Sequence, residues 1–237
     1  MSPLPKLSTV HHRRLREVWR SGGWPCQDMV EVELLANGLL ERLRDEAGRE
    51  TLRVTDTGIQ ILAQTLNHNR ATRNAHEELV GQVVTQMQRS GRIVWRGLSL
   101  RAALERDDGG FDWVMAMPDV YSIRHTTVED YAEPIVHEIK VHRSDLLADL
   151  KRPDKGAAYR ALSSQCWYVL KEGIANPDEV PEPYGVMVFS SRQGLEVARP
   201  APKRPLRIPF SVWMRLARAT CVPLDDDDAQ AWLGVST

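Results

Sequence analysis

The chain has 237 residues, 42% of them hydrophobic and 27% charged, with 31 basic against 32 acidic side chains and a formal net charge of −1. That is long enough to bury one large core or two smaller ones, and it excludes global disorder, collagen-like and low-complexity architectures. No apolar run approaches the roughly 18 residues that span a bilayer. Met1–Lys6 carries no hydrophobic leader core, so a cytoplasmic protein with no membrane partner is expected. The three cysteines, Cys26, Cys166 and Cys221, form no Cys-x-x-Cys pair, which argues against a disulfide framework or a structural zinc site.

Near-neutrality hides local asymmetry. Residues 1–24 hold Lys6, Arg13, Arg14, Arg16 and Arg20 against Glu17 alone, and residues 199–218 hold six basic groups and no acid. The run Asp225–Asp228 then offsets much of this, so 221–237 is read as an acidic C-terminal tail. Basic stretches of this kind are either solvated surface or phosphate contacts.

In chain order, 11–20 is a predicted helix stopped by Gly22-Gly23, and 27–36 is a second helical segment ending at Asn37-Gly38. Two short strands, 39–44 and 51–55, flank the charged loop 45–50. A helix then starts at Thr55-Asp56-Thr57-Gly58. Helix, helix, hairpin, helix, with its Thr-x-x-Gly start, resembles a small α+β winged-helix domain over residues 1–65. The candidate recognition segment 27–36 carries Asp28, Glu31 and Glu33, which would repel phosphates. The module therefore serves either DNA reading or protein contact, such as a homodimer.

Residues 66–74 are polar and are read as a linker to a second domain over 75–220. A helix over 75–89 has Leu79, Val80, Val83, Val84 and Met87 in one stripe. Strand-like texture comes next, at 111–117, 118–123 and 135–141. Ser144 caps a helix to about 151, a second helical piece covers 155–163, and 166–170 is a buried strand. A hairpin over 184–198 and a helix over 209–219 complete the domain.

The chemistry-bearing pattern is Pro118-Asp119, then Glu138-Ile139-Lys140. Alternation along a strand puts Glu138 and Lys140 on one face and Ile135, His137, Ile139 and Val141 on the other. Two carboxylates converging from neighbouring strands suit a hard cation such as Mg²⁺ (or Mn²⁺), which acidifies a water and neutralises a phosphate. A lysine beside them stabilises developing negative charge. The plainer reading is an exposed Glu–Lys pair at a sheet edge. His137-Glu138-x-x-x-His142 lacks the His-Glu-x-x-His spacing of a zinc peptidase, and neither a phosphate-binding Gly-rich loop nor a Gly-x-Ser-x-Gly elbow occurs.

Pro-Asp followed by Glu-x-Lys on successive strands, before a helix, resembles the PD-(D/E)XK nuclease superfamily. The resemblance implies an α/β, restriction endonuclease-like α-β-β-β-α-β core. It implies Asp119, Glu138 and Lys140 as catalytic residues, with Asp119 and Glu138 as metal ligands. Many members add an acid from the first core helix, for which Glu77, at the edge of the apolar stripe, is preferred over Glu78. Downstream, Asp145, Asp149, Lys151, Tyr159 and Tyr168 fill the places of a motif that looks like MmcB-type DNA repair proteins over about 112–200. There the family's Arg-rich approach to the aspartate is replaced by Met115-Ala116-Met117, and Asp154-Lys155-Gly156 is extra. The resemblance thus implies a metal-dependent DNA endonuclease or DNA repair nuclease, with Lys151, Arg152 and Lys155 expected to grip phosphates. The alternative is a non-catalytic DNA-binding or regulatory protein on the same fold.

Overall fold

A computed structural model describes residues 7–224, and the chain divides into two compact units, Met1–Arg73 and Asn74–Thr237. In the first, α1 (Thr9–Ser21) starts at Ser8, whose side chain accepts the His11 N–H, and stops at Gly22 in the left-handed region, φ 73°. α2 (Met29–Ala36) is capped by Asp28. β1 (Leu40–Arg44) and β2 (Glu50–Val54) form the expected antiparallel hairpin, and the Leu52 N–H reaches the Gly23 carbonyl at 2.6 Å. Leu15, Val18, Leu34, Leu39, Leu52 and Ile61 fill the core.

The acids of α2 are spent on this small fold. Glu31 is fully buried; its Oε2 accepts the N–H groups of Cys26 and Gln27 (2.5 and 2.8 Å) and its Oε1 accepts Arg42 (3.2 Å). Asp28 receives the Arg14 guanidinium as a fork (3.0 and 2.7 Å), which holds its carboxyl below the usual carboxylate range. Glu33 meets His11 Nε2 at 2.5 Å.

The next helix, α3, runs unbroken from Asp56 to Arg89, and the boundary between the units falls inside it. The linker expected at 66–74 is thus helical. Between Gly58 and Gly81 the chain has no proline or glycine, and polarity alone does not stop a helix. At its start, Thr55 Oγ1 accepts the Gly58 N–H (3.2 Å) and donates to the Gly38 carbonyl (2.7 Å).

The second unit begins with the rest of α3. Then come β3 (Arg92–Arg96), β4 (Leu100–Glu105), β5 (Phe111–Ala116), β6 (Val120–Arg124), β7 (Ile135–Lys140), α4 (Arg143–Leu150), α5 (Pro153–Leu162), β8 (Gln165–Lys171), β9 (Gly185–Ser190), β10 (Gly194–Arg199) and α6 (Phe210–Arg218). The main sheet has the order β10-β9-β8-β7-β6-β3, with β7, β8 and β9 parallel and the remaining neighbours antiparallel. β4 and β5 pair only with each other, as a hairpin inserted between β3 and β6. Apart from that hairpin the order is helix, three strands, helices, strand, and the class is α/β, as expected.

The alternation foreseen along β7 holds. Ile139 packs with Val83, Val94, Val120 and Val169 on the α3 face. Val136 packs with Tyr121, Leu146, Tyr159 and Leu170 on the opposite face. His137 is fully buried on the α3 side, its ring stacked on Trp167 with 16° between the planes. The segment read as tail from residue 221 begins in contact with this sheet, Val222 N–H donating to Val94 O at 2.8 Å. The acidic run 225–228 lies outside the described residues. Among the described residues no helix is long and apolar enough to cross a membrane.

Gly58 yields a prediction opposite to the usual helix rule. Gly→Ala inside a helix ordinarily gains about 1 kcal/mol. Here a Cβ would lie 2.5 Å from Leu39 O and 2.6 Å from Val54 Cγ1. Gly58→Ala is expected to destabilise the first unit by about 1–3 kcal/mol, read as a lower urea midpoint together with faster hydrogen exchange at the Leu34 and Leu52 amides.

Candidate active site

Pro118 has no N–H to give a strand ladder. The β6–β7 pairing ends at Val120↔His137, and beyond it the two strands part. Ile139, left without a β6 partner, donates its N–H to Asp119 Oδ2 at 2.7 Å. The Asp119 side chain thus stands in for a strand at the point where the sheet opens. β7 keeps its other neighbour: Glu138 lies opposite Tyr168 and Lys140 opposite Leu170 on β8.

Glu138 and Lys140 project together beneath α4 and α5, as alternation requires. Glu138 Oε1 accepts Lys140 Nζ at 2.7 Å and Lys155 Nζ at 2.6 Å. The Tyr159 hydroxyl lies 2.7 Å from Glu138 Oε2 and 3.1 Å from the Met117 carbonyl, one proton serving two acceptors. Asp149 completes the group. Its Oδ1 accepts Lys155 Nζ at 2.5 Å and its Oδ2 accepts the Tyr168 hydroxyl at 3.0 Å, with Lys140 Nζ 3.5 Å away. Two carboxylates and two ammoniums, formally neutral, are closed over by two phenols; Glu138 is 5% exposed and Asp149 8%.

The electrostatics reflect that packing. Burial acts to raise the Asp149 carboxyl, but the Lys155 hydrogen bond and the charges of Lys140 and Lys155 outweigh it and hold it below the ordinary range. Burial also disfavours a charged Lys155, and the charge of Glu138 and the bond to Asp149 overcome this and push it up. Both phenols are raised by burial first. Glu138 then raises Tyr159, and Asp149 raises Tyr168. Asp119 and Asp149 add to the field on the Tyr159 hydroxyl.

The first core helix meets Asp119 through His76. Its Nε2 lies 3.4 Å from Asp119 Oδ1, and that contact raises the imidazole above its ordinary value of 6.5. Glu77, the acid expected from this helix, is 60% exposed, 3.7 Å from His76 Nδ1 and 3.9 Å from Arg96. One residue is a 100° turn, enough to move Glu77 off the row that His76 shares with Val80 and Val83. That i, i+4, i+7 row was the available signal for His76.

Of the residues expected to grip phosphates, Lys155 is corrected. Its ammonium is held by two carboxylates and its side chain is 18% exposed, so it belongs to the centre of the cluster. Its place in the segment 154–156 gave no sign of this, because only the crossing of α5 over β7 brings it to Glu138. Lys151 and Arg152 are exposed where α4 meets α5. Asp145 is also exposed, outside the cluster. The basic stretch 199–218 is largely used up internally. Arg199 donates to the carbonyls of Pro177, Val180, Pro181 and Tyr184, Lys203 pairs with Glu133, and Arg204 reaches the Pro183 carbonyl.

Among the described residues no cluster of three or more His, Cys, Asp or Glu side chains is arranged around a metal position. Magnesium needs fewer protein ligands, one or two carboxylates with water completing the shell. Asp119 and Glu138 are of that donor type, and Glu138 is paired with Lys140 and Lys155.

No protein-family model matches the chain, and no curated protein matches it. Among solved structures it is similar to a protein of unknown function from Silicibacter pomeroyi, with 18% identity and a TM-score of 0.39 over 58% of this chain and 79% of the other.

Two measurements test this geometry. Lys155→Met leaves Glu138 and Asp149 sharing one ammonium, and the expected loss is about 3–5 kcal/mol at pH 7 by urea unfolding. For His76, the raised pKa means that its contribution to stability is full below about 6.5 and is lost as pH rises through the folded value. Asp119→Asn should bring the His76 titration, followed by NMR of the ring protons, back down towards 6.5.

Proposed function

We propose that the protein is a metal-dependent phosphodiesterase acting on DNA, of the PD-(D/E)XK type. The observation that carries this reading is the Glu138–Lys140 pair on one face of β7, with the Asp119 carboxylate accepting the backbone N–H of Ile139, the residue between them, where β6 and β7 part. Asp119 and Glu138 would hold a magnesium ion, which supplies an acidified water and neutralises charge on the scissile phosphate. Lys140 keeps an ammonium where negative charge develops, and its desolvated position makes that charge count for more than it would in water. Tyr159 orients Glu138 through Oε2, and Asp149 holds Lys140 and Lys155 in place. Tyr159 and Asp149 act through other groups and are positioning residues.

A second reading rests on one observation: Glu138 Oε1 is already shared by Lys140 and Lys155. A site neutralised by its own lysines suits a DNA-binding or regulatory protein that keeps the fold without cleaving. Titration with Mg²⁺ or Mn²⁺ separates the two readings, since the nuclease must bind the cation through Asp119 and Glu138.

The expected outcome is cleavage of at least one of duplex, single-stranded, nicked or branched DNA that stops when the metal is chelated. Asp119→Ala, Glu138→Ala and Lys140→Ala should each lower the rate by at least about 100-fold. The first two should also lose metal binding, and Lys140→Ala should keep it because an ammonium is no ligand. Undiminished cleavage by Glu138→Ala would overturn the reading.

A further inference from the structure

The β4–β5 hairpin has one face against the core and one that no described residue covers. Leu100, Ala102, Leu104, Val114 and Ala116 point inward. The outward row on β5 and just beyond it is Phe111, Trp113, Met115 and Met117, each between 55% and 61% exposed. The pairing sets Arg101 opposite Met115 and Ala103 opposite Trp113. Single exposed apolar side chains are ordinary; four in succession on one strand face mark a contact surface.

Charge narrows what that surface contacts. The Arg101 guanidinium lies over the Trp113 ring, 4.9 Å from its centroid. Arg215 of α6 donates Nε–H to the Ser99 carbonyl at 3.0 Å. Neither has a carboxylate partner among the described residues. Between them, floored by Leu100 and Val212 and walled by Met115, is a hollow of about 210 Å³ lined by no acid. Aromatic and thioether faces beside two uncompensated guanidiniums fit a ligand with flat rings and regularly placed negative charge. An apolar protein partner would bury both cations without an anion, at a cost of desolvation.

The row also leads to the candidate site. Side chains on one strand face recur about every 6.8 Å, and Met117 is two residues before Asp119. The Met117 carbonyl shares the Tyr159 hydroxyl with Glu138.

We propose that this face holds an unpaired nucleic-acid strand, its bases stacked on Trp113 and Phe111 and its phosphates on Arg101 and Arg215, leading to Asp119 and Glu138. The choice of nucleic acid rests on the phosphodiesterase reading. The new element is the form of the substrate, single-stranded or bearing a single-stranded arm. In a duplex the base faces are already stacked on one another and have none to offer Trp113. An unpaired strand offers both rings and phosphates.

The test uses the full chain, a labelled oligothymidylate and a duplex of equal length, with fluorescence anisotropy in EDTA so that binding is read without cleavage. The single strand is expected to bind more tightly than the duplex. Trp113→Ala should weaken single-strand binding by about 5- to 150-fold, the range that loss of one stacked base corresponds to. Trp113→Phe should restore most of it, and duplex affinity should not move. Arg101→Ala with Arg215→Ala should flatten the slope of log K against log salt by about 1.4 for the single strand. Unchanged single-strand affinity in both variants overturns the proposal, as does an equal loss for the duplex. A change of oligomeric state on sedimentation with single-strand affinity intact also overturns it and makes the face a contact between copies. Failure of the nuclease reading therefore appears as absent cleavage with the Trp113 effect intact, and failure of this inference appears as cleavage without it.

Discussion

The hydrogen bond from the Ile139 N–H to Asp119 is the contact on which the candidate site of the second unit depends. Up to Val120↔His137 the β6–β7 ladder is regular, and Pro118 cannot extend it. A backbone donor on a central strand must still be satisfied. A carboxylate does this without closing the sheet, as another strand would. The same bond anchors Asp119 beside Glu138 and leaves its second oxygen towards His76. One side chain thereby satisfies the backbone where the pairing ends and meets the first core helix at His76.

The buried group around Glu138 shows how such a place is kept. Four charges are withdrawn from water, a cost that only mutual pairing and hydrogen bonding offset. Each charge here has at least two partners, and the two phenols donate to Glu138 Oε2 and Asp149 Oδ2. The contributors come from β7, α4, α5 and β8, so the group ties the helical layer to the sheet. A side chain cannot be removed without leaving a buried charge short of a partner. Stability and the proposed chemistry therefore rest on the same atoms.

The first unit uses its charges differently. The acids of α2 are turned to α1 and β1, where they accept backbone N–H groups and arginines, so the acidity of that segment says little about what the unit meets outside. Arg13, Arg16 and Arg20 remain on the exposed side of α1. Near them Trp19, Ile59 and Leu66 edge a hollow of about 300 Å³.

Much of this was legible from local pattern. Stop and turn signals located α1, α2 and the β1–β2 hairpin, and apolar pattern located the 75–89 part of α3, β7 and β8, because burying one face imposes a period of 3.6 or 2 on the chain itself. The same period of 2 put Glu138 and Lys140 on one face. Of the residues singled out by their likeness to a known motif, Asp149, Tyr159 and Tyr168 lie in the buried group with Glu138, and Asp145 and Lys151 are exposed. Local pattern misled where the deciding term was not local. Residues 66–74 are polar yet helical, because nothing in them breaks a helix. Glu77 and His76 differ by one residue, and only the seating of α3 on the sheet determines which of them meets Asp119. Lys155 reads as an exposed cation in an extra segment until α5 crosses β7 and lays it on Glu138 and Asp149. Composition and periodicity are properties of each segment and settle which faces are buried. Which donor reaches which carboxylate depends on how helices separated by tens of residues cross one sheet, and that the tertiary structure alone decided.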